Sequence, residues 1–510
     1  MSAGKNKTLA EALVSGGTRK AAENGRAGSD RRPRRPFASS WRRRHLSVAE
    51  REARGLTARK MVPRKDHARF APGPDRTDIV TLLEEQAANR VPELVPIRYG
   101  RMLVSPFTFF RGAAFLMAND LATTPRSGVT VQLCGDAHLS NFGLFGTPER
   151  RLIFDINDFD ETLPGPWEWD VKRLAASFEV MGRYRGFSRD DRRDVVMSCV
   201  RAYRERIRES ATEGTLQIWY KHLEAGQVLR DVAAEVRRDQ LSKKEARMMH
   251  GYVAKAQTRD SLRVFTRSVG RGDDGLRIVP DPPLIVPIEE VATLGTEWWQ
   301  AADLVKRLLN SYRRTLGVEH HPLEEFRYVH AARKVVGVGS VGTRCYILLL
   351  TGRDEGDPLF LQVKEAQASV LERFAGLSAY AHHGRRVVAG QRLMQAATDI
   401  FLGWQRIKGI DGVSRDYYVR QLHDWKGSAE VEKLLVAGAT LYARICGGTL
   451  ARAHARWGDR IAIASYLGKG DSFDGAIADF SSRYADQNER DYEALTAAVK
   501  SGRVKAETGL

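Results

Sequence analysis

The stretch Gln132–Asp170, QLCGDAHLSNFGLFGTPERRLIFDINDFDETLPGPWEWD, places more demands on a fold than any other part of the chain. An apolar run (Val129, Val131, Leu133) leads into Gly135-Asp136-Ala137-His138, and Asn141 lies five residues after Asp136. A second apolar run, Leu152 to Ile156, ends in Asn157-Asp158-Phe159-Asp160-Glu161. Short apolar runs bounded by Gly, Asn and Pro read as strands and turns, so two strands each deliver carboxylates at their C-terminal ends. Crowded carboxylates repel one another unless a cation neutralises them, and such a cluster points to chemistry. An Asp, an Asn five residues on and a further Asp after a hairpin suit Mg²⁺ on a phosphate, with one Asp free to take a proton. The bland alternative is a pair of Asx-capped turns.

Length and composition bound the rest. A chain of 510 residues suggests roughly two to four domain-sized units. Its 43% hydrophobic content is enough for a sizeable core. Four scattered cysteines (Cys134, Cys199, Cys345, Cys446) show no CxxC spacing, which argues against a disulfide scaffold or zinc ribbon and fits a reducing, cytoplasmic setting. No apolar run approaches the ~20 residues needed to span a bilayer, and the N-terminus lacks the apolar core of a secretory signal. The net charge of +18 is unevenly placed, with 19 Lys/Arg against 6 Asp/Glu in residues 1–70. That segment, with RRPRRPFASSWRRRH at 31–45, reads as a largely disordered basic tail in which Leu46 to Arg59 forms a short helix. Such a tail suits non-specific contact with nucleic acid or an anionic surface, and Phe37 and Trp41 alone are too few aromatics for base reading.

From Asp75 the chain reads as globular. Ile79 to Asn89 fits an amphipathic helix, and residues 97–122 interleave Arg98, Arg101 and Arg111 with Phe107, Phe109 and Phe110. Arg111, at the start of a helix-like run, is a candidate for meeting an anion; core aromatics with locally paired arginines are the alternative. Pro164-Gly165-Pro166 precedes a helix whose first turn holds Asp170, placed to reach back to backbone amides of the acidic loop. Residues 180–320 read as a charged helical subdomain.

A second informative stretch is VVGVGSVGTRCYILLLTGRDEGDPLFLQVKEA, residues 335–366. Gly337, Gly339 and Gly342 form GxGxxG, a weak signal alone. No helix follows, which speaks against a dinucleotide-binding βαβ unit. Strand, turn and strand follow, then Lys364, which is the order of a glycine flap over ATP phosphates with a lysine on the third strand. Glycine matters there because a side chain would hold backbone N–H groups off phosphate oxygens. Ala368 to Leu377 reads as helix, with Glu372 placed to pair with Lys364, while Glu365 points to the opposite face of its strand. Val387 to Gln391 and Tyr417 to Leu422 read as further strands, and Gly438 to His454 as a helix ending in a core or capping His454.

GDAHLSNFG, NDFDET, RVVAGQRLMQAATDIFLGW and RAHARWGD resemble a bacterial family catalogued as a domain of unknown function, number 2252, from about residue 75 to the C-terminus. That resemblance implies no activity. A more distant resemblance is to the aminoglycoside-phosphotransferase and protein-kinase-like superfamily, whose catalytic loop has the form HGDxxxxN. It implies that Asp136 is the base, Asn141 and Asp158 are metal ligands, and Asp170 is the helix aspartate bracing the loop. It also implies that Gly337, Gly339 and Gly342 form the flap, with Lys364 and its partner Glu372 on the phosphates. Cys134 stands where the superfamily has histidine, and the flap follows the acidic loop instead of preceding it, an order that a circular permutation reconciles.

The resulting expectation is an α+β, kinase-like, two-lobed fold in permuted order, with a small β-rich lobe late in the chain and a larger, mostly helical lobe. Its parts are the tail (1–70), an acidic catalytic-loop segment (71–179), a helical subdomain (180–325), a β-rich nucleotide-binding lobe (326–430) and C-terminal helices (431–510). The expected activity is ATP- and Mg²⁺-dependent transfer of a phosphoryl group, or an adenylyl group, to a hydroxyl of an unknown small molecule or protein. Two alternatives use other features. Asp136, His138, Asp155 and Asp158 could hold two metals for phosphoester hydrolysis, or the chain could be a non-catalytic nucleotide-binding protein whose tail binds nucleic acid.

Overall fold

The computed structural model describes residues 45–509, except 74, 259–260, 273–274, 293–297, 318–319, 409–411, 423–424, 426 and 428. The expectation for the Arg-rich run at 31–44 lies outside the described residues. The fold is α+β, with helices through much of the chain and a β-rich region late in it.

Four short strands frame the acidic stretch: β1 (Thr130–Leu133), β2 (Phe142–Gly146), β3 (Leu152–Ile156) and β4 (Leu163–Pro166). β2 and β3 form an antiparallel hairpin, and β1 pairs antiparallel with β4 from Thr130↔Pro166 to Leu133↔Leu163. This closure sets the 134–141 loop beside the 157–162 loop. Val131, Leu133, Ile153 and Ile156 are buried and anchor it. β4 runs directly into the helix Trp167–Tyr184, which is buried along almost its whole length.

Between these elements and the late sheet lie the helix Arg189–Ala211, several shorter helices and a hairpin of β5 (Val269–Gly272) and β6 (Gly275–Ile278). β7 (Ile285–Pro287) pairs with β8 (Arg327–Lys334), so the segment read as a mostly helical subdomain also supplies an edge strand to the sheet. With β9 (Cys345–Thr351), β10 (Pro358–Ala366), β11 (Gly403–Lys408) and β12 (Ser414–Gln421), they form a six-stranded antiparallel sheet in the order β11-β12-β10-β9-β8-β7.

Alternation along β10 sorts its residues between two environments. Leu361 and Val363 join Leu348, Tyr417, Val419 and Tyr312 in one apolar cluster, with Tyr312 contributed by the helix Trp298–Arg313. Phe360 packs on the other face with Ile347 and Leu349. Gln362 and Lys364 share the Phe360 face and sit opposite Arg420 and Tyr418 of β12.

Two local readings are corrected. Val387 to Gln391 belong to a helix, His383–Met394, whose buried Val387, Val388, Gln391 and Met394 follow helical spacing. Tertiary packing overrides the β-propensity of the paired valines there. Gly390 lets this helix lie against Thr162, where an added Cβ would sit 2.3 Å from the Thr162 hydroxyl. The helix expected over 368–377 is confined to Glu372–Ala375. Near the start, Val48–Met61 is helical with a Ser47/Glu50 capping box, and packs through Gly55 onto Ala462.

Candidate functional site

The Asp136 loop is built from its own neighbourhood. The amides of Cys134 and Gly135 donate to the two carboxylate oxygens of Asp170 at 2.9 and 3.1 Å. Asp170 also lies 3.2 Å from His454 Nε2, whose Nδ1 is 2.8 Å from the Tyr203 hydroxyl. His454 is thus the core residue expected of it, and it reaches the loop brace from a helix distant in sequence. Gly135 has φ +86°, and an added Cβ would lie 2.3 Å from the Glu161 carbonyl, so this turn accepts only glycine. Within the loop, Asn141 Nδ2 and the His138 amide both donate to the Asp136 carbonyl, at 2.9 and 2.8 Å. The Ser140 amide donates to His138 Nδ1 at 3.2 Å.

Arg173, three residues after Asp170 on the same helix, donates from Nε and Nη2 to Asp136 Oδ1 at 2.6 and 2.5 Å. Burial pushes the Asp136 carboxyl above its usual range, and the Arg173 charge opposes that shift.

The second loop is held by the sheet. Lys364 Nζ donates to Asp160 Oδ2, and the Tyr418 hydroxyl donates to Asp160 Oδ1 at 2.8 Å. Arg386 donates to the Asp160 and Thr162 carbonyls at 2.8 and 2.7 Å, and Arg420 to the Asn157 carbonyl at 3.1 Å. Burial works against ionising Asp160, but Lys364 and Tyr418 outweigh it and hold its carboxyl below the usual range. Asp158 differs. Among the described residues its Oδ1 accepts only the Asp160 amide, at 3.1 Å, and burial followed by the Asp160 charge pushes it up. Asp155 turns away, accepting the Ala396 amide at 3.0 Å, so the Asp136/His138/Asp155/Asp158 set of the hydrolytic alternative is not assembled.

The glycine loop, residues 335–344, crosses from β8 to β9 over the same space. Asp136, Asn141, Asp158, Gly337 and Gly339 line one cleft of about 260 Å³, together with His138, Asp160 and Arg111. Gly337, at φ +65°, accepts Arg101 Nη1 on its carbonyl at 2.7 Å. Gly342 does not face the cleft. At φ +88° it packs over Arg90, and its carbonyl accepts the Val91 amide at 2.8 Å, so it anchors the loop from behind.

Glu372 is not the partner of Lys364. It accepts the Ser369 amide at 3.3 Å and lies 4.0 Å from Arg386, because strand alternation aims Lys364 at Asp160 instead. Glu365 points the other way, as expected, toward Arg344 and Arg415. Arg111 sits in the last turn of the helix Pro106–Gly112, not the first, with Phe107, Phe109 and Phe110 buried. Arg98 is structural, bonded to Gln86 and the Gly112 carbonyl.

Sequence reasoning missed Arg173, Tyr418 and Arg90. Arg173 had a readable signal, one helical turn after Asp170 on the same face. Tyr418 had none, since only the register of β10 with β12 places it beside Lys364.

Among the described residues, no helix is long and apolar enough to cross a membrane. No three His, Cys, Asp or Glu side chains among them gather to hold a metal on their own. All four cysteines are free and buried. No curated protein and no solved structure matches the chain. Residues 90–498, which include every element of the cleft except Glu85, Gln86 and Asn89, match a family model, and the chain belongs to the family described as uncharacterized protein conserved in bacteria (DUF2252).

Proposed function

We propose that this protein is an ATP- and Mg²⁺-dependent phosphotransferase acting on a hydroxyl, built on a kinase-like scaffold in permuted order. The observation that carries this reading is the meeting of the acidic and glycine loops in one cleft, with Lys364 bonded to Asp160. The donor set fits the cation. Asp158 is a half-buried carboxylate with no cationic hydrogen-bond partner, and the Asn141 side-chain oxygen accepts no hydrogen bond, among the described residues. One carboxylate and one amide oxygen suit a metal that completes its shell with water and phosphate oxygens. When bound, Mg-ATP would supply the phosphoryl group and the neutralising charge.

This chain's own residues take the remaining roles. Arg173 occupies Oδ1 of Asp136, which leaves Oδ2 to accept the proton of the acceptor hydroxyl. Asp170 keeps that loop in place through the two amides. Lys364 and the glycine loop orient phosphate oxygens.

A thermal-shift titration with ATP, Mg²⁺ and Mn²⁺ tests the reading without knowledge of the acceptor. ATP with Mg²⁺ should raise the melting temperature, whereas no shift with any nucleotide–metal pair rejects the proposal. Asp136→Ala should keep that shift and lower slow ATP turnover to water about 10²- to 10⁴-fold. Lys364→Ala should weaken both.

A further inference from the structure

Inside the cleft the acidic groups are largely answered. Asp136 is bonded by Arg173, Asp160 by Lys364 and Glu365 by Arg344. Arg111 lines the same cleft, yet its guanidinium has no hydrogen bond or ion pair among the described residues, and its Nε is buried. Arg90, 8% exposed, gives one Nη to the Val341 carbonyl and also keeps a buried, unpartnered Nε. A buried guanidinium nitrogen without a partner is costly, and two arginines lining one cleft, each with such an Nε, indicate a group that completes them.

The planar fork of arginine matches phosphate and carboxylate oxygens. The nucleotide phosphates already have the glycine loop and Lys364 under the reading above. Arg111 lines the cleft with Asp136, the group that would take the proton of the acceptor hydroxyl, and the charges of Glu432 and then Asp136 act on it. We propose that Arg111 receives an oxyanion carried by the acceptor itself, so that the substrate class is a small hydroxyl compound bearing a phosphate or carboxylate. This rests on the phosphotransferase reading. It disfavours polycationic acceptors, which an unpaired guanidinium would repel.

The test is calorimetric titration of inorganic phosphate into the full-length protein and its Arg111→Met variant at low salt, each with and without a saturating non-hydrolysable ATP analogue and Mg²⁺. Phosphate should bind the wild type at least about tenfold more tightly than the variant, the size expected for a lost charge-assisted pair. That binding should persist beside the analogue. The basic tail contributes an equal background to both proteins. Should Arg111→Met not fold, Arg111→Lys serves, with a smaller loss because the fork is gone. Equal affinity in wild type and variant overturns the inference alone. Displacement of phosphate by the analogue also overturns it, because Arg111 then serves the nucleotide. No binding of the analogue to either protein overturns the phosphotransferase reading and the acceptor assignment together.

Discussion

The Asp136 loop takes most of its braces from Asp170, Arg173 and Ser177 on the helix that follows it, within 38 residues, and adds Tyr442, whose hydroxyl donates to the Leu139 carbonyl at 2.8 Å from a helix far along the chain. The Asp160 loop is tied by Lys364, Arg386, Tyr418 and Arg420, all at least 204 residues downstream. Both loops line the same cleft, yet the first is braced mainly by the segment that follows it and the second mainly by the late sheet and the helix His383–Met394. A loop braced by its own segment forms at a small loop-closure cost, whereas one braced from afar depends on the whole fold. The lasting asymmetry is in stability. The half of the site carrying Asp136 is expected to be rigid, and the half carrying Asp158 and Asp160 to loosen whenever the sheet moves.

Breaking the local brace should have the largest effect. Asp170→Ala strands two buried amides and His454, and should cost about 3–5 kcal/mol in denaturant unfolding. Asp170→Asn, which keeps one acceptor, should cost less. Breaking the distant brace is next. Lys364→Met leaves the half-buried Asp160 with Tyr418 but no ammonium, and should cost about 1–3 kcal/mol. Hydrogen exchange sharpens the comparison. Lys364→Met should deprotect amides 157–162 and leave 134–141 protected, and equal deprotection of the two loops would erase the distinction drawn here.

Gly135→Ala tests where the loops touch. Its Cβ would press on the Glu161 carbonyl from a left-handed backbone, so it should cost about 1–3 kcal/mol and loosen both loops at once.

The smallest effect concerns Lys172, on the same helix as Asp170 but outside the cleft. It is fully buried, its Nζ has no hydrogen bond among the described residues, and it lies 4.7 Å from the Phe480 ring centroid. Burial pulls its ammonium down from 10.5 to about 7. The unfolded chain therefore binds a proton between pH 7 and 10.5 that the folded chain has released, and this group makes stability rise with pH across that window. Lys172→Met should remove that rise and stabilise the protein at pH 6 by about 1–2 kcal/mol. Unchanged pH dependence in chemical denaturation would refute the assignment.

Much of the first loop was legible in the residues. Gly-Asp, the Asn five positions on and the Asp in the next helical turn are local features, and strand and helix periodicities carry them into place. The second loop was legible only in part. Three aspartates at 155, 158 and 160 look alike in sequence, and strand geometry alone separates Asp155, turned to Ala396, from the two facing the cleft. Glu372 looked like the partner of Lys364 because it was near in sequence, and the 387–391 run looked like strand because valine favours strands. In both cases contacts with distant elements prevailed over the local tendency.

The sequence by itself determined the α+β composition, the strands flanking both acidic turns, the glycine loop between β8 and β9, and the position of Asp170 in its helix. These depend on periodicity and turn chemistry that act over a few residues. Only the tertiary structure decided that Lys364 meets Asp160, that Gly342 anchors from behind while Gly337 and Gly339 face inward, and that Arg111 lines the cleft with no hydrogen bond or ion pair among the described residues. Those outcomes depend on the register between strands and the docking of distant segments, where burial and charge pairing select among alternatives that the residues alone leave equal.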